Sequence, residues 1–263
     1  MNLQGKRVVI TGASRGIGAD LAQRFAYAGA QVALVARSAE AIGKLAADLG
    51  GFSYPADLGD RKARDELIPR IEADGPIDVL VNNAALLDTV KFTSMDPASI
   101  DAIIDVNVHA PMQLSRAVLP AMVARGGGKI VDISSMGGVV CNPGTAVYSA
   151  SKAALTHFNE CLHEEVRGTG LTTLVVELGL VETEMEANLH TYGPTDRALA
   201  RLTKLKLTRY LSSERVARTI VRAVERDATT LRMPKRAAAF PFVTALPRNV
   251  GRALLKGVDL TTP

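Results

Sequence analysis

Residues 11–18 read Thr11-Gly12-Ala13-Ser14-Arg15-Gly16-Ile17-Gly18 and follow directly on the apolar run Arg7-Val8-Val9-Ile10. A glycine-rich turn between a strand and a helix lets the backbone bend tightly and approach a pyrophosphate, whose charge is favoured at the helix N-terminus. The spacing is G-x-x-x-G-x-G rather than the commoner dinucleotide fingerprint, so the strand before it and the helical segment after it carry the assignment. Gly12, Ser14, Arg15, Gly16, Ile17 and Gly18 are the first candidate binding residues.

The alternation that begins at this turn continues along the chain. Strands are expected at 7–11, 31–36, 51–54, 78–81, 129–134 and 171–177, with helical segments at 16–28, 39–49, 61–73, 97–125, 146–167 and 213–226. Such alternation implies an α/β fold in one domain, a doubly wound, Rossmann-like parallel sheet with helices on both faces. At 263 residues, 47% of them hydrophobic, the chain can bury one large core. No repeat or linker rich in Pro, Gly or Ser divides it, so we expect a Rossmann-like domain over 1–233 and an extension over 234–263.

No apolar run reaches the roughly 18 residues of a membrane span. Residues 1–7 lead into a strand rather than a secretory apolar segment, and a cytoplasmic protein is expected. Cys141 and Cys161 do not make a disulfide framework, and their spacing from His157 and His163 fits no metal-ligand pattern, so no metal is expected. From Met233 onward Lys235, Arg236, Arg248, Arg252 and Lys256 face the single acid Asp259, which accounts for the whole formal charge of +4. A neutral body with a basic tail argues against nucleic acid as a partner.

The second strand ends Val35-Ala36-Arg37. An acidic residue there would accept from the adenosine ribose 2′-hydroxyl of NAD. Arg37, helped by Arg15, instead suits a 2′-phosphate, so NADP(H) is the expected cofactor. Further on, Tyr148 and Lys152 stand four apart on a helical segment and share one face. An ammonium near a phenol lowers its pKa from about 10 and brings its proton within catalytic reach.

With the glycine turn, Asn82-Asn83-Ala84-Ala85, Ser135 and Tyr148-Ser149-Ala150-Ser151-Lys152 in this order, the chain resembles the short-chain dehydrogenase/reductases from about Gly5 to Met233. The resemblance implies a catalytic set of Asn107, Ser135, Tyr148 and Lys152. It also implies Asp57 and Leu58 at the adenine, Asn83 and Ala84 at the sheet end beside the cofactor, and Val181 and Thr183 at the nicotinamide side. Ala85 and Leu178 depart from the family's usual Gly and Pro. Carried over, the mechanism is hydride exchange between nicotinamide and a carbonyl or secondary alcohol, with Tyr148 as proton donor, Ser135 on the substrate oxygen, and Lys152 lowering the Tyr148 pKa while binding the ribose. A homodimer or homotetramer is implied as well.

The resemblance places a substrate lid at about 184–210, where Met185, Leu189, Tyr192, Leu199, Leu202, Leu205 and Leu207 suggest a hydrophobic or lipid-like substrate, or a plain core face. Cys141, Asn142 and Pro143 are further pocket candidates. In the extension, Leu246, Val250 and Leu254 recur every fourth residue, with Arg248, Arg252 and Lys256 roughly opposite. This amphipathic pattern suits peripheral contact with an anionic membrane, or docking on the body or a second subunit. Two rival functions are a 3-oxoacyl thioester reductase and a noncatalytic NADPH-binding regulatory or scaffold protein.

Overall fold

The computed structural model of the protein describes residues 1–205 and 208–234. The lid residue Leu207 and the amphipathic pattern of the extension lie outside the described residues. In chain order the elements are β1 (Arg7–Thr11), α1 (Gly16–Tyr27), β2 (Gln31–Ala36), α2 (Ala39–Leu49), β3 (Phe52–Pro55), α3 (Arg61–Ala73), β4 (Val79–Asn82), α4 (Pro97–Ile104) and α5 (Ala110–Ala124). They continue with β5 (Gly128–Ser135), α6 (Ala146–Glu165), β6 (Leu171–Leu178), β7 (Val181–Glu182), α7 (Glu184–Ala187), α8 (Gly193–Lys204), β8 (Leu211–Ser212), α9 (Ser213–Glu225) and β9 (Thr230–Met233).

Seven strands form one parallel sheet in the order β3-β2-β1-β4-β5-β6-β9. The chain steps outward from β1 to β3, then returns to place β4 on the other side of β1. That reversal opens a crevice at the C-terminal ends of the strands, where ligands of such sheets bind. Both faces of the sheet are covered, because β-strand side chains alternate. Val8 and Ile10 pack with Leu21 and Phe25 of α1 and Val216 and Ile220 of α9. Val9, between them, packs on the opposite face with Leu67 and Ile71 of α3 and Leu114 and Val118 of α5.

Local chemistry sets the helix ends. Ser38, Asp60, Asp96 and Ser212 each accept a backbone N–H in the first turn of α2, α3, α4 and α9. Helix α1 starts after Arg15 without a side-chain cap, leaving its first N–H groups for another acceptor.

Three features differ from the sequence expectation: β7 and β8 pair as a separate two-stranded parallel sheet, and two further differences concern the long helix and the main sheet. The helix expected over 97–125 is interrupted by a π-helical turn, Asp105–His109, between α4 and α5. The sheet also gains β9, which pairs with β6 and places Arg232 beside Glu177.

Candidate active site

The crevice is a cavity of about 940 Å³. Its walls include Gly12, Ser14, Arg15, Gly16, Ile17, Gly18, Arg37, Asp57, Leu58, Asn83, Ala84, Ser135, Tyr148, Lys152, Val181 and Thr183, so one surface joins all the expected site residues except Asn107.

At one end the glycine turn is drawn tightly against the sheet. Gly12 has φ of 66°, and a Cβ there would lie 2.8 Å from the Ala84 Cα; a Cβ on Gly18 would lie 2.2 Å from the Gly12 carbonyl oxygen. Side chains at either position would force the turn away from its neighbours. Asn83 stitches this turn to the end of β4. Its amide Nδ2 donates to the Thr11 carbonyl at 2.9 Å, while the Asn83 and Ala84 backbone N–H groups donate to the Thr11 Oγ1 at 2.9 and 3.0 Å. A glycine cradle beside an uncapped helix N-terminus fits a dinucleotide pyrophosphate.

The two candidate phosphate-binding arginines differ in their engagement. Arg37 is exposed at the cavity wall and forms no ion pair with any described residue. Arg15 Nη1 donates to Glu184 Oε2 at 2.6 Å, tying the glycine turn to the start of α7. Asp57 Oδ1 accepts from the Gly59 N–H at 2.9 Å and shapes the loop after β3.

At the other end, β5 delivers Ser135 and α6 delivers Tyr148 and Lys152. The Ser135 Oγ accepts from the Gly137 N–H at 3.0 Å and donates to the Leu178 carbonyl at 3.3 Å. The adjacent Ser134 spends its hydroxyl on the Lys152 carbonyl and on Thr156. Lys152 is almost fully buried, and its Nζ donates to the Ile133 carbonyl at 2.8 Å.

The electrostatics depart from expectation at Tyr148. Burial pushes the phenol pKa up from 10.0, and a hydrogen bond with Ser135 pulls the other way. The Lys152 amine lies over the Tyr148 ring, 5.9 Å from its centre, and gives one of its hydrogen bonds to the Ile133 carbonyl. Burial also lowers the Lys152 pKa to about 8, against the raising influence of Asp132. Asp132 itself is pushed up to about 6 by burial, opposed by hydrogen bonds from Asn159 and Asn82 and by the Lys152 charge.

Asn107 sits in the π-turn behind the cavity wall and is fully buried. Its Oδ1 accepts from the Leu86 N–H at 2.7 Å, and its Nδ2 donates to the Leu86 carbonyl at 2.9 Å and to Ser151 Oγ at 3.0 Å. It thus ties the π-turn to the segment after β4 and to the helix of Tyr148. The π-turn gives it this reach, since i→i+5 bonding swings the backbone out of α-helical register.

Of the expected lid residues, Met185, Leu189, Leu199 and Leu202 line the cavity, whereas Leu205 is exposed. Asn142 lines it too; Cys141 and Pro143 do not. Leu86, Val106, Met136 and Val140 complete an apolar surface that sequence spacing did not disclose. Thr195 at the start of α8 donates to the Pro143 carbonyl at 2.7 Å, joining the lid to the loop between Ser135 and Tyr148.

Residues 6–192 match the short chain dehydrogenase family. The chain is 36% identical over 188 residues to the 3-oxoacyl-(acyl-carrier-protein) reductase FabG of Escherichia coli, covering 70% of this chain and 77% of that protein. It is also 36% identical over 194 residues to a short chain dehydrogenase of Pseudocercospora fijiensis, covering 70% of this chain and 62% of that longer protein. A solved short-chain dehydrogenase from Sphingobium yanoikuyae, in complex with NADPH, superposes with a TM-score of 0.78 at 26% identity, covering 98% of each chain. The chain belongs to the short chain dehydrogenase family, a family of oxidoreductases.

Proposed function

We propose that this protein is an NADP(H)-dependent reductase of hydrophobic carbonyl compounds, able to run in reverse on secondary alcohols. The observation that carries this reading is the single cavity that joins Arg37 and the glycine cradle to Ser135 and Tyr148 through an apolar wall. The NADPH complex of the Sphingobium relative supports the cofactor choice.

In this reading the α1 N-terminus and Gly12–Gly18 hold the pyrophosphate, Arg37 takes the 2′-phosphate, and Asp57 and Leu58 border the adenine. Asn83 and Ala84 fix the sheet end, while Val181 and Thr183 border the carboxamide. A bound nicotinamide supplies or accepts the hydride. Tyr148 gives its phenolic proton to the carbonyl oxygen as charge develops there, and Ser135 donates a hydrogen bond to the same oxygen. Lys152 holds the ribose and, as an ammonium, makes the Tyr148 phenolate less costly. Asn107 fixes the backbone through which a proton path reaches Lys152.

The FabG relative favours a second reading, a 3-oxoacyl thioester reductase. Against it, among the described residues the charged lid side chains that line the cavity are Glu184 and Glu186, both acidic, and the neighbouring Arg15 is already paired with Glu184, which offers little to an acidic carrier. A purely binding role leaves the buried Lys152 and its polar neighbours without a purpose. NADPH consumption across ketones and aldehydes graded in chain length and ring size, with 3-oxoacyl thioesters alongside, separates these readings. Tyr148→Phe is expected to lower kcat by about 10²–10⁴-fold while NADPH binding persists. Near-normal turnover in that variant overturns the assigned roles, and binding without turnover of any carbonyl revives the scaffold reading. Assembly as a homodimer or homotetramer, and peripheral membrane contact through the basic extension, belong to the same proposal; light scattering and flotation with anionic vesicles test them.

A further inference from the structure

Asp132 stands three residues before Ser135 on β5 and is fully buried. Strand alternation puts Asp132 and Ser134 on the sheet face that meets α6. Ser134 there bonds the Lys152 carbonyl and Thr156, and Asp132 Oδ2 accepts from Asn159 Nδ2 at 2.7 Å. Lys152 and Asn159 are seven apart, two turns of one helix face, so both look onto β5. From β4, Asn82 Nδ2 donates to Asp132 Oδ1 at 2.7 Å. The carboxylate is therefore held by two neutral amides and makes no ion pair with a described residue.

A buried carboxylate with no counter-charge is costly. Among the groups facing it, α6 offers the Lys152 amine, which bonds the carbonyl of the next residue, Ile133, and one turn beyond Asn159 the imidazole of His163. Helix α5 offers only the Ser115 hydroxyl, bonded by Asn82, and β4 only Asn82. The carboxylate on β6, Glu177, pairs with Arg232 of β9. We propose that Asp132 is a positioning residue for this site, the buried counter-charge that keeps Lys152 an ammonium against β5. The proposal rests on the functional reading above, since a charged Lys152 is what makes the Tyr148 phenolate accessible. The coupling is visible from both sides: the Lys152 charge lowers the Asp132 pKa, and the Asp132 charge raises that of Lys152.

The test is Asp132→Asn in the full chain, followed by NMR titration of the lysine amines in ¹⁵N-labelled protein, with Lys152 assigned by its loss in Lys152→Met. The variant has a route to keep its packing: Asn82 Oδ1 is buried without a partner, and a turned Asn82 amide can accept from the new amide. The Lys152 titration is expected to move to lower pH by roughly half a pH unit or more, because a nearby opposite charge has been removed. The alkaline limb of the kcat profile should move with it, while a merely structural loss lowers kcat at every pH alike. An unmoved Lys152 titration overturns the proposal. Should the variant fail to fold, the wild type decides: the Lys152 resonance must register a step near the pH where Asp132 titrates, and a featureless curve there overturns it. Because the titration needs no turnover, a shifted Lys152 in a protein inactive on every carbonyl would sink the functional reading alone.

Discussion

Arg37 and Arg15 flank the same end of the cavity, yet their surroundings give them different freedom. Arg37 has no acidic partner among the described residues, while Arg15 is held by Glu184, with both side chains of that pair well exposed. An exposed ion pair is worth no more than about 1 kcal/mol, so Glu184 is a weak competitor for Arg15. A charge-assisted hydrogen bond contributes roughly 1.5–3 kcal/mol, which puts the Arg37 contribution to NADPH selection at roughly 10–100-fold. Arg37→Asp is therefore expected to raise KM for NADPH by that factor and to leave KM for NADH unchanged or lower. Steady-state kinetics with both cofactors checks this, and a wild type that prefers NADH removes the assignment. The contrast between the arginines also marks what sequence could disclose. Arg37 follows a strand end, a local signal, whereas the Arg15 partner lies 169 residues away and emerges only when α7 folds over the glycine turn. The same limit hid the relation of Asp132 to Lys152: helix spacing fixes the Tyr148–Lys152 pair, but only the docking of α6 on β5 buries Asp132 and Lys152 at one interface.

Elements whose period was clear were legible, and elements built from tertiary contact were not. Val216, Ile220 and Val224 recur at helical spacing, and α9 forms where expected. β9 escaped notice because Thr230-Leu231-Arg232-Met233 is short and carries a charge in its middle. Arg232 stands in the sheet because buried Glu177 on β6 needs a counter-charge, which a single-strand pattern cannot reveal. The lid has a comparable hidden fastening. His190 Nδ1 lies 2.5 Å from Asp196 Oδ1, and its Nε2 lies 3.0 Å from Glu186 Oε1 and 3.1 Å from the Tyr210 hydroxyl. With an acceptor at each ring nitrogen, the imidazolium suits the site, and Asp196 first and Glu186 next raise the His190 pKa. A raised folded-state value means that this fastening is at full strength below about pH 6.5 and is lost as pH rises through the folded pKa. Trypsin cleavage after exposed Arg201 in α8 should accordingly speed up as pH rises past neutrality, measured relative to His190→Gln at each pH. Equal dependence on pH in the two proteins would show that His190 does not fasten the lid.

The switch point between β1 and β4 opens one continuous cavity reached by elements from both halves of the sheet. The alternation of strands and helices made that architecture legible, because a parallel sheet requires crossovers and the crossovers must cover both faces. The cavity's apolar end was less so: Leu86, Val106, Met136 and Val140 come from three separate segments whose meeting depends on the sheet order. A ligand that spans the glycine turn, the loop after β3 and the end of β5 binds only when all three are in place, so its binding energy adds to the stability of the whole fold. At 100 times its Kd, NADPH should stabilise the folded state by about 2.7 kcal/mol. For a domain of this size, that corresponds to a rise in Tm of roughly 5–10 °C. NADH at the same concentration should give a smaller rise, since it presents no 2′-phosphate to Arg37. Differential scanning calorimetry of the full chain measures both: equal shifts would remove the NADP(H) preference, and no shift from either would remove the dinucleotide site itself.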